Sequence, residues 1–183
     1  MSDPTHGTTT TAPAARPASD PPGAARHEME IRPFSVEQMQ GRVARFGELR
    51  CPPDRYPDSH LPGHQRRNYL VVGKGLQVKG AKDPLSAIPV SEGFHLAYAA
   101  MRPGNGPMLH NHDTNETFVA IKGTWRVIWG ADGAHSVDLR PLDVCSVPPF
   151  VPRTFVCTSA AEGEEEGLIM AIIAGDAPRS EFM

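Results

Sequence analysis

Between residues 104 and 123 the chain reads GNGPMLHNHDTNETFVAIKG, with His110 and His112 two apart, Glu116 four further on, and glycines at both ends. Alternate side chains of a β-strand share a face, so both imidazoles project together if this stretch is extended. A tight turn at Asp113–Asn115 can return Glu116 to the same point on the next strand. Two imidazoles and a carboxylate that converge make an N,N,O site for a divalent transition metal. An isolated His-x-His pair is common; the full spacing with its bounding glycines is far more restrictive.

That spacing matches the first motif of the cupin family, G-x5-H-x-H-x3-E-x6-G, at Gly104, His110, His112, Glu116 and Gly123. The resemblance continues in part through residues 142–155, LDVCSVPPFVPRTF, set against the second motif G-D-x4-P-x-G-x-x-H. Asp143 and Pro148 match. Leu142 and Phe150 stand where the motif has glycine, and Arg153 stands where it has a metal-binding histidine. The similarity covers residues 90–175. It implies an all-β, jelly-roll-like antiparallel cupin β-barrel with a metal pocket inside. It does not imply a reaction, because one fold hosts many chemistries. A phenylalanine at 150 is expected to avoid the positive φ open to glycine, so the turn there is expected to differ from the family's.

The rest of the chain fits one such barrel behind an arm. Its 183 residues suffice for one domain with a sizeable core, and 17 Gly and 19 Pro suit short strands joined by turns. Formal net charge is −3, which argues against nucleic acid as the main partner. No apolar run approaches membrane-spanning length, and no basic and apolar leader is seen at the start. Three cysteines, Cys51, Cys145 and Cys157, do not make a complete disulfide set. Cys145 and Cys157 read as buried thiols, and a reduced cytoplasmic setting is expected.

Thr, Ala, Pro and Ser dominate the first 26 residues, so residues 1–30 are read as a disordered tail. Residues 31–67 are read as a helix and a Pro-rich connector. Ser35 and Gln38 have the form of a capping box, and the helix is expected to run to Phe46 with Val36, Met39, Val43 and Phe46 on one side. Gly47 is its expected stop. The connector 51–68 has no periodic signal. The barrel is expected over 68–178, with strands at 69–72, 94–101, 109–112, 116–121, 124–129, 135–139, 144–147, 153–157 and 168–174. Trp125, Val127 and Trp129 share one parity and are expected in the core, with Trp125 also a candidate for the pocket wall.

Arg153 sharpens the site. A guanidinium is permanently protonated and has no lone pair to donate, so it cannot replace a histidine ligand. At about 5 Å from a divalent ion its repulsion is roughly 7 kcal/mol at an effective dielectric of 20, and Glu116 offsets roughly half. Structural zinc sites bind with about 10–16 kcal/mol, so the arginine weakens a metal without abolishing it. Arg153 then has three physical fates: to hold an anionic substrate, to pair with a surface acid, or to pair with Glu116 in a metal-free pocket. His95, His60 and His64 are candidate further ligands.

Analogy with members of the cupin family, joined to the charge of Arg153, leads to the expectation of a metal-dependent enzyme with dioxygenase-type chemistry on a small, anionic and aromatic or oxygen-donor organic acid. His110, His112 and Glu116 would hold the metal, with Fe(II) first and Mn, Ni, Zn or Cu accepting the same donors. Arg153 and Trp125 would bind substrate, and His95 is a weak candidate for the catalytic role. A non-enzymatic small-molecule-binding cupin is the alternative, as is a metal-dependent isomerase or epimerase. The long arm before the barrel is compatible with a homodimer.

Overall fold

A computed structural model describes residues 30–52, 55–82 and 86–183; the expected tail at 1–29 lies outside them. The chain divides into a short unit ending at Phe34 and a main unit, Ser35–Met183. The main unit opens with helix α1 (Val36–Gln40) and a 3-10 turn (Phe46–Glu48). The strands are β1 (Arg67–Val72), β2 (Gln77–Val78), β3 (Phe94–Met101), β4 (His110–His112), β5 (Glu116–Lys122) and β6 (Thr124–Trp129). They continue with β7 (His135–Leu139), β8 (Val144–Val147), β9 (Arg153–Ser159), β10 (Gly167–Ala174) and β11 (Arg179–Phe182).

These strands form two facing sheets, β1-β3-β10-β5-β8 and β2-β11-β4-β9-β6-β7. Pairing between named strands is antiparallel except for β11 with β2. Strand burial follows the period of two that a half-buried sheet imposes: β10 alternates strictly, as do the first six residues of β5. The core between the sheets is built from Met101, Phe118, Trp125, Val127, Phe155 and Ile169. Phe118 and Phe155 stack at 4.7 Å between centroids, and Trp125 meets Phe155 at 6.1 Å. Ridged packing of this kind holds the sheets at a fixed separation.

The all-β expectation holds, and β6, β7 and β8 have the limits read from the sequence. Other details differ. The capping box forms as expected, with Gln38 N–H donating to Ser35 Oγ and Ser35 N–H donating to Gln38 Oε1, but the helix stops at Gln40. Gly41 caps it, and Phe46 leaves the helical path to pack on Tyr69 and Tyr98 at 5.2 and 5.5 Å. The apolar side is not buried, for Val36 and Met39 remain 68% and 54% exposed. Cys145 is half-buried, whereas Cys157 is fully buried as expected. The segments β2 and β11, which carry no strong pattern, pair with one another.

Gly123 shows why the first motif ends in glycine. Its φ is +74°, and a Cβ would lie 2.2 Å from Ser159 O. Both conditions exclude any other residue without a backbone shift. Among the described residues no helix is long and apolar enough to cross a membrane.

Candidate metal centre

The three motif residues converge, but not on neighbouring strands of one sheet. Strand β4, which carries His110 and His112, belongs to the six-stranded sheet, and β5, which opens with Glu116, belongs to the five-stranded one. The turn 113–115 therefore crosses the barrel, and the carboxylate meets the imidazoles from the facing sheet. Glu116 Oε2 lies 3.7 Å from His110 Nε2 and 3.3 Å from His112 Nε2, with all three side chains buried. The candidate donor atoms fall within 4.8 Å of one another.

The outer edges of the two rings fix their protonation. His110 Nδ1 lies 2.8 Å from Met108 O, and His112 Nδ1 lies 3.1 Å from Arg179 O. A carbonyl oxygen only accepts, so each Nδ1 carries the proton and, in the neutral ring, each Nε2 lone pair turns inward. Imidazoles that ligate a metal are oriented in this way. Glu116 Oε2 is buried and has no hydrogen-bond partner. Two lone pairs aimed at an orphaned carboxylate oxygen repel one another unless a cation sits among them, so the residues fit a divalent metal. Burial pushes the Glu116 pKa up, and the neighbouring His112 and His110 rings push it down by more, so the carboxyl is held well below the usual range.

Of the partners weighed for Arg153, the structure sets it beside Glu116. It is fully buried on β9, in register with His110, and its Nε lies 3.6 Å from Glu116 Oε2. One terminal nitrogen donates to Pro148 O at 3.0 Å and the other reaches Asn111 Oδ1 at 3.4 Å. Burial pulls its pKa down, and Glu116 partly restores it.

A narrow cavity, partly open to solvent, lies beside the triad. His110, His112 and Glu116 line it together with the polar Tyr56, Arg66 and Asn68, and Val78, Phe155, Ile173 and Phe182 are among its apolar walls. Arg153 and Trp125, both expected to touch substrate, are not among its lining residues. Trp125 is fully buried in the core, where its indole N–H donates to Lys122 O. His95 is also elsewhere: its Nδ1 accepts from Gly75 N–H at 3.1 Å, and Nε2 lies 3.3 Å from Asp176 O. Neither His60 nor His64 joins the triad; His64 Nδ1 bonds Gly106 O at 2.8 Å.

Tyr56, Arg66, Ser180 and Phe182 line the cavity and were not foreseen. The first two lie in the connector that has no periodicity, and the last two lie on β11. The one available signal was a tyrosine and an arginine in an otherwise Pro-rich loop. The backbone of Phe150 overturns a further expectation, and that of Leu142 behaves alike. Both adopt positive φ, +75° and +61°, so the second motif keeps its glycine-type turns without the glycines. Leu142 N–H donates to Ala120 O at 2.7 Å and Phe150 N–H to His112 O at 2.9 Å, and these bonds hold the turns in place.

No protein-family model and no curated protein matches the sequence. Solved structures do match. An oxalate decarboxylase–formate complex from Lactobacillus farciminis aligns with TM-score 0.52 and 13% identity, over 75% of this chain and 34% of that one. The polyketide cyclase RemF from Streptomyces resistomycificus aligns with TM-score 0.51 and 13% identity, over 77% of this chain and 85% of that one. A cupin 2 domain-containing protein from Halorhodospira halophila aligns with TM-score 0.46 and 20% identity, over 63% and 67%. This chain thus spans about a third of the decarboxylase. At such identities the likeness is one of fold. With two facing sheets, a His-His-Glu cluster between them and the complete first motif, this chain has the cupin fold.

Proposed function

We propose that the protein is a metal-dependent cupin enzyme with dioxygenase-type chemistry on a small, anionic, oxygen-donor organic acid that contains an apolar or aromatic body. The observation that carries this reading is the orphaned Glu116 Oε2, faced by two Nε2 lone pairs in the lining of a cavity. His110, His112 and Glu116 would hold the metal, with Fe(II) favoured by the two-histidine, one-carboxylate donor set. When bound, the ion would supply Lewis-acid polarisation and, as iron, oxygen activation.

The protein's own groups do the rest. The carbonyls of Met108 and Arg179 orient the imidazoles, and the apolar walls receive the body of the substrate. Arg153 favours the ionised form of Glu116 and makes the centre more positive, which favours an anionic partner. Exposed Val36, Met39 and Val43 on the arm support a homodimer as part of this reading.

A second reading, a metal-free or weakly metal-binding small-molecule binder, is favoured by one contact: Arg153 Nε at 3.6 Å supplies part of the positive charge that Glu116 lacks. One experiment separates the two. Metal content of the purified protein is measured beside His110→Ala, followed by oxygen uptake with a panel of aromatic and aliphatic acids. Near-stoichiometric metal lost in the variant, with uptake abolished while the fold survives, is expected. No metal after reconstitution sends the choice to the binding protein.

A further inference from the structure

The connector without periodicity is tied to the first motif at three points. Gly106 N–H donates to Gly63 O at 3.0 Å, His64 Nδ1 bonds Gly106 O at 2.8 Å, and Met108 N–H donates to Asp58 Oδ2 at 3.0 Å. The third bond falls two residues before His110. Asp58 also receives both terminal nitrogens of Arg66, at 2.6 and 2.9 Å, and the two side chains are 1% and 4% exposed. A buried bidentate pair of this kind fixes direction as well as distance.

This frame presents Tyr56 to the cavity. The Arg66 guanidinium lies over its ring, 5.3 Å from the centroid. Its backbone is pinned by Ser59, whose Oγ accepts from Tyr56 N–H at 3.1 Å and donates to Tyr56 O at 2.7 Å. Tyr56 lines the cavity with His110, His112 and Glu116. Tyr56 is only partly buried and its hydroxyl bonds none of the described residues, so it is free to meet a bound molecule. Burial above all, with Glu116 and Asp58 adding to it against the nearby arginines, raises its pKa, so the group stays protonated and able to donate.

The charges around the cavity limit the ligand. Arg66 is neutralised by Asp58, and Arg153 is not among the lining residues. A dicarboxylate would leave its second carboxylate among apolar walls such as Val78 and Ile173 without a counter-charge.

We infer that Tyr56 is a substrate-binding residue whose hydroxyl donates to an oxygen of the bound molecule, and that this molecule is an oxygen-chelating catechol, phenol or enol rather than a dicarboxylate. The inference rests on the triad being a metal site.

The test titrates metal-loaded wild type and Tyr56→Phe with 4-nitrocatechol, followed by its visible absorption, and with malonate in competition. Tyr56→Phe is expected to raise the catechol Kd about tenfold, the loss of one hydrogen bond to an ionised oxygen, with metal content and Tm unchanged. Malonate is expected to bind wild type at least about tenfold more weakly than the catechol. An equal catechol Kd, or loss of metal in Tyr56→Phe, overturns the Tyr56 assignment and leaves the metal reading standing. Malonate binding as tightly as the catechol overturns the ligand class. Failure of wild type to take up metal overturns the metal reading and this inference with it.

Discussion

Arg153 Nε stands 3.6 Å from Glu116 Oε2, and both atoms are buried without a hydrogen-bond partner. The separation is too long for a hydrogen bond and short enough for strong attraction, roughly 5 kcal/mol at an effective dielectric of 20 before desolvation is counted. Each atom is left to the other's field rather than to a directed contact. The carboxylate thus retains an oxygen for another cation, and the guanidinium opposes that cation.

Replacing the arginine separates these two effects. Arg153→His puts an imidazole where the second cupin motif has one and removes a permanent charge. Its metal Kd is expected to fall by at least about tenfold, measured by competition with a chelating indicator. Arg153→Met removes the charge without adding a ligand and is expected to fall between the histidine variant and wild type. Equal affinity in all three would show that the guanidinium does not act on the site.

The second set of contacts to test lies on β11. Asp113 accepts from Arg179 N–H at 2.9 Å and from its Nε at 3.0 Å, and Arg179 O in turn receives His112 Nδ1–H. Asp113→Ala frees the strand that orients His112. A loss of about 10- to 100-fold in metal affinity is expected, as for other outer partners of ligating histidines. Far-ultraviolet circular dichroism unchanged from wild type would show that the barrel itself has survived.

Chemistry concentrated in one short segment was readable from the sequence; chemistry assembled from distant ones was not. His110, His112 and Glu116 lie within seven residues, so strand periodicity and one turn bring them together. Strands β6 to β8 are bounded by Gly123, Gly130, Gly133 and the Pro148–Pro149 pair, and their ends were visible for that reason. The crossing of β4 to β5 between sheets was not, because period two gives the face of a strand and not its sheet. The place of Trp125 was half legible: parity put it inside, but nothing local distinguishes a core side from a cavity side. Tyr56 and Arg66 reach the site only through Asp58, Gly63 and His64, contacts without any periodic signature.

The Asp58–Arg66 pair sets an acid limit. Burial alone would raise the Asp58 pKa, but the hydrogen bonds and charge of Arg66 and the Met108 N–H lower it by more, so it lies below the usual value. A carboxyl depressed in the folded state contributes stability above its unfolded pKa of about 3.9, and that contribution is lost as pH falls through the folded value. Urea unfolding from about pH 5 down to about pH 2 is expected to show this loss, with a smaller pH slope in Asp58→Asn. At neutral pH the same variant leaves Arg66 buried and unpaired and is expected to cost about 3–5 kcal/mol. An unchanged acid slope in Asp58→Asn would assign the limit to other carboxylates.

The two positive-φ residues of the second motif carry the last expectation. Leu142 and Phe150 hold φ of +75° and +61°, and they are 79% and 70% exposed. A left-handed backbone costs a side-chain-bearing residue about 1–3 kcal/mol, and burial recovers little of it at these exposures. Glycine removes the strain and adds unfolded-chain entropy of about 0.4–1 kcal/mol on the other side. Leu142→Gly and Phe150→Gly are therefore each expected to stabilise by about 1 kcal/mol net, read as a Tm higher by a few degrees. Destabilisation by either glycine would mean that the side chain is covered in the working protein. For Phe150, whose N–H is bonded to His112 O, the cover would then lie beside the metal centre.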